Sequence, residues 1–184
     1  MARPKSPPSG RSVTFGENEV IVSKTDLKGI ITYANAVFLR ISGYGEEELL
    51  GEPHNILRHP GMPGCIFKLL WQELQAGREV FAYINNLAKN GDNYWVFAHV
   101  TPSLDGRGRI VGYHSNRRVP YPDAMPKIEA LYARLLAEER KHPNRNQGID
   151  ASFKLLNDEL KSVGVTYSEF VFSLSQSTQL SAST

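Results

Sequence analysis

Along this chain, short stretches that alternate apolar and polar residues flank a block whose apolar residues recur every three or four positions. The segment VIVSKTD, residues 20–26, is rich in β-branched side chains. It is separated by Lys28-Gly29 from IITYAN, residues 30–35, which predicts a hairpin of two short strands. Val37, Phe38 and Ile41 then follow helical spacing until Ser42-Gly43 ends the turn. Glu46, Glu47 and Glu48 open a second helical turn, where their charges meet the positive end of the helix dipole, and Gly51 and Pro53 stop it. A longer amphipathic helix is expected over residues 64–76, carrying Ile66, Phe67, Leu69, Leu70, Trp71 and Leu74 and closed by Gly77. Three more strands follow: residues 80–87, residues 94–103 after the turn Lys89-Asn90-Gly91-Asp92, and residues 109–119 after Asp105-Gly106. The order β-β-α-α-α-β-β-β implies an α+β domain, an antiparallel sheet with helices on one face and a ligand-sized cleft between the layers.

Beyond Pro120, Pro122 and Pro126 the period changes. Ile128, Leu131, Tyr132, Leu135 and Leu136 form one helical stripe, and Phe153, Leu155, Leu156 and Leu160 form a second after the separator HPNRNQG. Residues 170–174 suggest a third. Apolar faces of this length need a cover, either the outer face of the chain's own sheet or the same helices in a second subunit. At the other end, residues 1–12 hold three basic residues, three prolines and no acid, a composition expected to form a disordered arm. The Ser- and Thr-rich stretch from Ser173 onward is expected to fray. The expected organisation is therefore an arm over residues 1–12, a domain over 13–120, and a helical tail over 121–184 that couples or dimerises.

Composition narrows the partners. The 184 residues carry 21 Lys+Arg against 19 Asp+Glu, a net charge of +2, which lacks the dense basic surface of nucleic-acid binders. The single cysteine, Cys65, allows neither an internal disulfide nor a paired-cysteine metal or redox motif, which fits a reducing compartment. The N-terminus has no apolar signal-peptide core, and no run approaches the ~18 apolar residues of a membrane span. A soluble, cytoplasmic protein without membrane insertion is expected.

No nucleotide loop, zinc-protease, hydrolase-elbow or paired-cysteine signature occurs, so nothing points to catalysis or to a metal. Two features stand out instead. His54, Asn55, Arg58, His59, Pro60 and Met62-Pro63 cluster between the second short helix and the long one. Such a cluster serves either as a proline-stiffened connector or as the mouth of the pocket, where Arg offers fixed donors to phosphate or carbonyl oxygens. Asn85-Asn86 is the second, because asparagine is depleted in strands and one of two adjacent strand residues must face inward. With alternation, Ala82, Ile84 and Asn86 share a face. The amide of Asn86 is then either satisfied by a neighbouring strand or aimed at a heterocycle with alternating donors and acceptors.

The segment over residues 20–119 resembles a PAS domain. Within it GYGEEELLGEPHNILRHPGMP, KNGDNYW and IVGYHSNRR are similar to the PAS domain of bacterial aerotaxis receptors. The resemblance covers a little over half the chain and implies a five-stranded antiparallel sheet flanked by short helices. It further implies noncovalent binding of FAD and sensing of cellular redox state. Residue by residue, it puts Asn35, Arg58 and His59 among positions needed for flavin binding, with Trp71 and Asn86 as further pocket positions; if a flavin binds there, His99 is expected as a neighbouring strand residue whose hydrogen bonds rearrange on reduction. Two departures stand out: Gly61 occupies the place of an acid after RHP, and Val80 with Phe81 replaces a Trp. In related photosensory flavin domains a reactive cysteine occupies the slot that falls on His54 here, while Cys65 lies eleven residues later, so no light-driven adduct is expected.

The leading expectation is a flavin-binding redox sensor that hands its state to a signalling partner such as a chemotaxis transducer, the chain forming a homodimer. A haem gas sensor with His54 or His59 as axial ligand is the first alternative, and a ligand-free dimerisation module the second.

Overall fold

The computed structural model describes residues 6–176. Five strands form one antiparallel sheet: β1 (Ile21–Thr25), β2 (Ile31–Ala34), β3 (Val80–Leu87), β4 (Asn93–Leu104) and β5 (Ile110–Arg118), in the spatial order β2-β1-β5-β4-β3. The elements match the expected order, and the α+β, five-stranded antiparallel architecture is observed. Between β2 and β3 run α1 (Ala36–Ser42), α2 (Glu46–Leu49), a 3₁₀ turn (His54–Leu57) and α3 (Gly64–Gln75). These cover the inner face of the sheet.

Local chemistry explains the corners. In the β1–β2 turn the Asp26 carboxylate accepts from the N–H groups of Lys28 (2.8 Å) and Ile30 (2.9 Å), and Gly29 takes a φ of 79° that other residues resist. Asp105 repeats the device between β4 and β5, accepting from Arg107 and Arg109. Helix α1 ends at Gly43, whose N–H bonds back to the Leu39 carbonyl at 2.9 Å.

The tail folds back on the domain as α4 (Met125–Arg140), α5 (Arg145–Ser162) and α6 (Tyr167–Gln176). Of the two covers that the stripes demand, the structure shows the chain's own sheet. Phe172 of α6 packs edge-on to Phe81 of β3 at 4.5 Å, and Tyr132 of α4 lies 6.0 Å from Trp95 of β4. The Tyr132 hydroxyl donates to the Tyr83 carbonyl at 2.7 Å and lies 3.0 Å from the Tyr167 hydroxyl. Ile128, Leu131, Leu135, Leu156, Leu160 and Leu174 thereby join the same apolar core as Phe38 and Ile66. Helix α5 also packs on α3, so the tail touches both layers. Among the described residues no helix is long and apolar enough to cross a membrane.

One expectation is corrected. Residues 6–12 do not form a free arm: the Ser9 N–H donates to the Gly91 carbonyl at 2.7 Å, Ser12 bridges Asn93, and the Arg11 guanidinium and Ser9 hydroxyl both bind the Asp92 carboxylate. Backbone pairing and one buried acid supply what composition lacks. A side chain on Gly91 would come within 2.3 Å of the Pro7 carbonyl, so this docking needs glycine. Residues 1–5 of the expected arm, and residues 177–184 of the expected frayed end, lie outside the described residues.

Candidate functional site

A cavity of about 350 Å³ opens between the inner face of the sheet and the helical layer. That is within the range of small-ligand pockets. Its helical wall is apolar: Phe67, Leu70, Trp71 and Leu74 project from successive turns of α3. The opposite wall comes from alternate strand positions, Ile84 and Asn86 of β3, Ala98 and Val100 of β4, and Tyr113, Ser115 and Arg117 of β5. Exposed Lys28 marks the mouth. There Trp71 lies over Gly29, where an added methyl would meet its ring at 3.2 Å, and packs edge-on to Tyr113 at 5.4 Å.

Of the six site residues expected from sequence, the structure brings three together on this cavity: Arg58, Trp71 and Asn86. Arg58 and Asn86 also pair through their backbones as an isolated antiparallel bridge. The Arg58 guanidinium lies 4.0 Å over the Phe67 ring, and burial among neighbours that include Arg145 brings its pKa down to about 10. The Asn86 side chain faces inward, 4% exposed, and its Nδ2 makes no hydrogen bond among the described residues.

Asn35, His59 and His99 lie elsewhere. Asn35 caps α1. Its Oδ1 accepts from the N–H groups of Val22 and Phe38, each at 3.0 Å, and its Nδ2 donates to the Val20 carbonyl at 2.8 Å. It ties β1 to α1 and contributes no wall to the cavity. His59 accepts the Gly61 N–H on Nδ1 at 3.0 Å, shaping the turn that follows Arg58. An acid at Gly61 would bring its Cβ to 3.0 Å from that nitrogen, so the departure from the aerotaxis pattern fits the local packing. His99 is placed by strand alternation: with Ala98 and Val100 facing the cavity, it points to the outer face. There its ring stacks on Phe81 at 4.1 Å and its Nε2 lies 2.7 Å from Glu79.

The cavity also contains residues not singled out as ring contacts beforehand. His54 lines it, its Nε2 3.2 Å from the Ser23 hydroxyl and its ring stacked on Phe38 at 6.0 Å. Burial, reinforced by the charge of Arg117, pushes the His54 pKa from 6.5 down to about 3, so the imidazole is neutral at physiological pH. Asn55 contributes an Oδ1 that is buried and unbonded. Arg117 is 2% exposed, and only its Nη2 is bonded, to the Ser23 hydroxyl. Cys65 faces the tail: its N–H donates to Glu139 at 3.1 Å, and burial pushes its thiol up to about 11. The cavity wall contains no cysteine.

Comparison with known proteins agrees with this geometry. A model of the PAS fold matches residues 31–117. The chain is 38% identical over 127 residues to the aerotaxis receptor of Escherichia coli (strain K12), covering 69% of this chain and 25% of that protein. It is 32% identical over 99 residues to a nitrogen fixation regulatory protein of Klebsiella pneumoniae, covering 54% and 20%. The chain thus spans a quarter or less of the length of these two relatives. Among solved structures, the light state of the blue-light photoreceptor Aureochrome1 LOV superposes with a TM-score of 0.53 at 23% identity, over 66% of this chain and 91% of that one, a likeness of fold alone. Sheet order, the inner-face cavity and these matches together identify the segment around residues 31–117 as a PAS domain, related to that of the aerotaxis receptor.

Proposed function

We propose that this PAS domain binds FAD noncovalently as a cytoplasmic redox sensor. The observation that carries the reading is a set of buried polar groups without partners among the described residues, all on the wall of one cavity: Asn86 Nδ2, Asn55 Oδ1, and Nε and Nη1 of Arg117. A buried polar atom left unbonded costs about 1–3 kcal/mol, so three such side chains around one space favour a ligand that presents both acceptors and donors. A flat heteroaromatic ring with an amide-like edge has that pattern. Phe67, Leu70 and Trp71 offer it an apolar bed, Asn86 a donor, and Asn55 an acceptor. When bound, a flavin supplies reversible electron uptake. The chain's own residues orient the ring, exclude water and hold the hydrogen bonds that differ between its redox states.

A haem reading fits less well. His59 is engaged in its own turn outside the cavity, and the His54 Nε2 already meets Ser23. The output runs through the tail to a separate signalling chain, of which a chemotaxis transducer is the type that the aerotaxis relationship suggests, with the protein acting as a homodimer. The test is the absorption spectrum of the full chain after purification and after incubation with FAD. A flavin spectrum that survives gel filtration supports the reading. A haem spectrum, or a colourless protein after loading, refutes it.

A further inference from the structure

Arg117 is the most deeply buried of the lysines and arginines in the cavity wall. Its side chain projects inward from β5 next to the neutral His54, lies 4.5 Å over the Phe38 ring, and reaches one hydrogen-bond partner, Ser23. The described residues that line the cavity include no aspartate or glutamate. Enclosing an ion without a countercharge costs several kcal/mol, and a contact with one aromatic face offsets only part of that. Arg118, the next residue, is exposed to water, so the chain holds a solvated arginine and a desolvated one side by side. The desolvated one has two donor nitrogens, Nε and Nη1, still unbonded.

We propose that Arg117, supported by Ser23 and His54, is an anion-recognition subsite at the deep end of the cavity, and that the anion it fits is a reduced flavin ring rather than a phosphate. The inference rests on the flavin reading. A space of about 350 Å³ accommodates a ring-sized group, so the diphosphate of a dinucleotide lies outside it, toward exposed Lys28 at the mouth. Arg117 is at the enclosed end, which leaves the ring as the part of the ligand that meets it. Its fixed charge favours the ring that has gained two electrons and one proton, with a net charge of −1, over the oxidised ring, which is neutral. The neutral His54 cannot compete as a second cation, and Ser23 holds the guanidinium in place through Nη2, leaving the other donors free for the ligand.

The experiment is a spectroelectrochemical titration of the FAD-loaded full chain, with dithionite as reductant, beside Arg117→Gln and Arg117→Lys. Removing the charge is expected to weaken binding of the reduced ring relative to the oxidised one at least tenfold, which lowers the two-electron midpoint by about 30 mV or more. Arg117→Lys is expected to stay within that margin of the wild type. Equal midpoints for wild type and Arg117→Gln, both loaded with flavin, overturn the subsite and leave the flavin reading intact. If Arg117→Gln does not retain flavin, the Lys variant decides: a drop as large as the expected loss overturns the role of charge. A wild-type chain that takes up no flavin overturns the flavin reading, and this inference with it.

Discussion

The backbone of Arg58 pairs with that of Asn86, so the RHP turn is fastened to the edge strand at the point where β3 presents its inward amide. The two side chains then diverge, the guanidinium over Phe67 and the amide into the cavity. Turn and strand are thus one piece of the wall, and either side chain can be changed without unpairing the backbone.

Asn86→Ala and Arg58→Ala are therefore expected to weaken FAD retention by about tenfold each, the equivalent of one lost hydrogen bond to a buried partner. Global stability should change little for Arg58, which sits in a connecting turn. Equilibrium dialysis against FAD with parallel urea melts separates binding from folding. Full retention by both variants would show that this wall does not contact the ligand.

His99→Ala serves as the opposite case. Because the residue faces away from the cavity, flavin content per folded protein is expected to match the wild type, while the Phe81 stack on the outer face is lost. Flavin loss in this variant, measured by absorbance ratio, would contradict the assignment of strand faces.

Asn35→Ala removes a cap and two further bonds at once. It is expected to lower stability by about 1–3 kcal/mol through the stranded N–H groups of Val22 and Phe38. The folded fraction should still take up flavin, since Asn35 touches no part of the cavity. Urea unfolding followed by tryptophan fluorescence measures the first, and flavin stoichiometry on the folded fraction the second. Normal stability with lost flavin would reverse the assignment.

His54 introduces a pH dependence with a definite sign. Its pKa is about 3 when folded and near 6.5 when unfolded, so below pH 6.5 the unfolded chain binds a proton that the folded chain refuses. Stability is fully present above 6.5 and falls as the pH drops toward 3. At about pH 5 the loss from this group alone approaches about 2 kcal/mol at most. His54→Gln should flatten that part of the profile in thermal melts across the range, and an unchanged slope would remove His54 as its source.

Tyr132→Phe tests how firmly the tail is held. Losing its hydroxyl leaves the Tyr83 carbonyl and the Tyr167 hydroxyl short of a partner, a cost of about 1–2 kcal/mol. Hydrogen exchange is expected to quicken in α6 and along β3 before the rest of the sheet. Uniform exchange across the chain would mean that the tail and the sheet unfold as one unit.

What the sequence made legible follows from what alternation and periodicity encode. Strands and helices fell where β-branched runs, glycine turns and apolar spacing put them, and the adjacency of Asn85 and Asn86 correctly implied an inward amide. The same argument applied to Arg117 and Arg118 implies an inward arginine, yet a basic pair reads as surface until strand registers are known. Asn35, His59 and His99 show a different limit. A resemblance to a flavin-binding family marks positions without distinguishing a residue that touches a ligand from one that caps a helix or shapes a turn, and placing His99 beside a ring needed the strand alternation that turns it to the reverse of β4. The stripes of the tail demanded a cover, but only the folded chain shows that the cover is β3 and β4. Residues 6–12 looked unstructured because their partners, Gly91 and Asp92, are some eighty positions away.

The β3–β4 hairpin has the cavity on one side and the tail on the other, and neighbouring residues divide the work: Ile84 faces inward where Tyr83 meets Tyr132, and Ala98 faces inward where Phe97 meets Tyr121. Only one polypeptide backbone lies between the two surfaces. A rotation of the pleat that makes room for a ligand atom shifts the Tyr83 carbonyl under Tyr132 and the Phe97 ring against Tyr121 in the same motion, as the two ends of a seesaw share a pivot. Such a hairpin needs no chain of intermediaries, and its sensitivity is set by how stiffly its backbone ladder resists twisting.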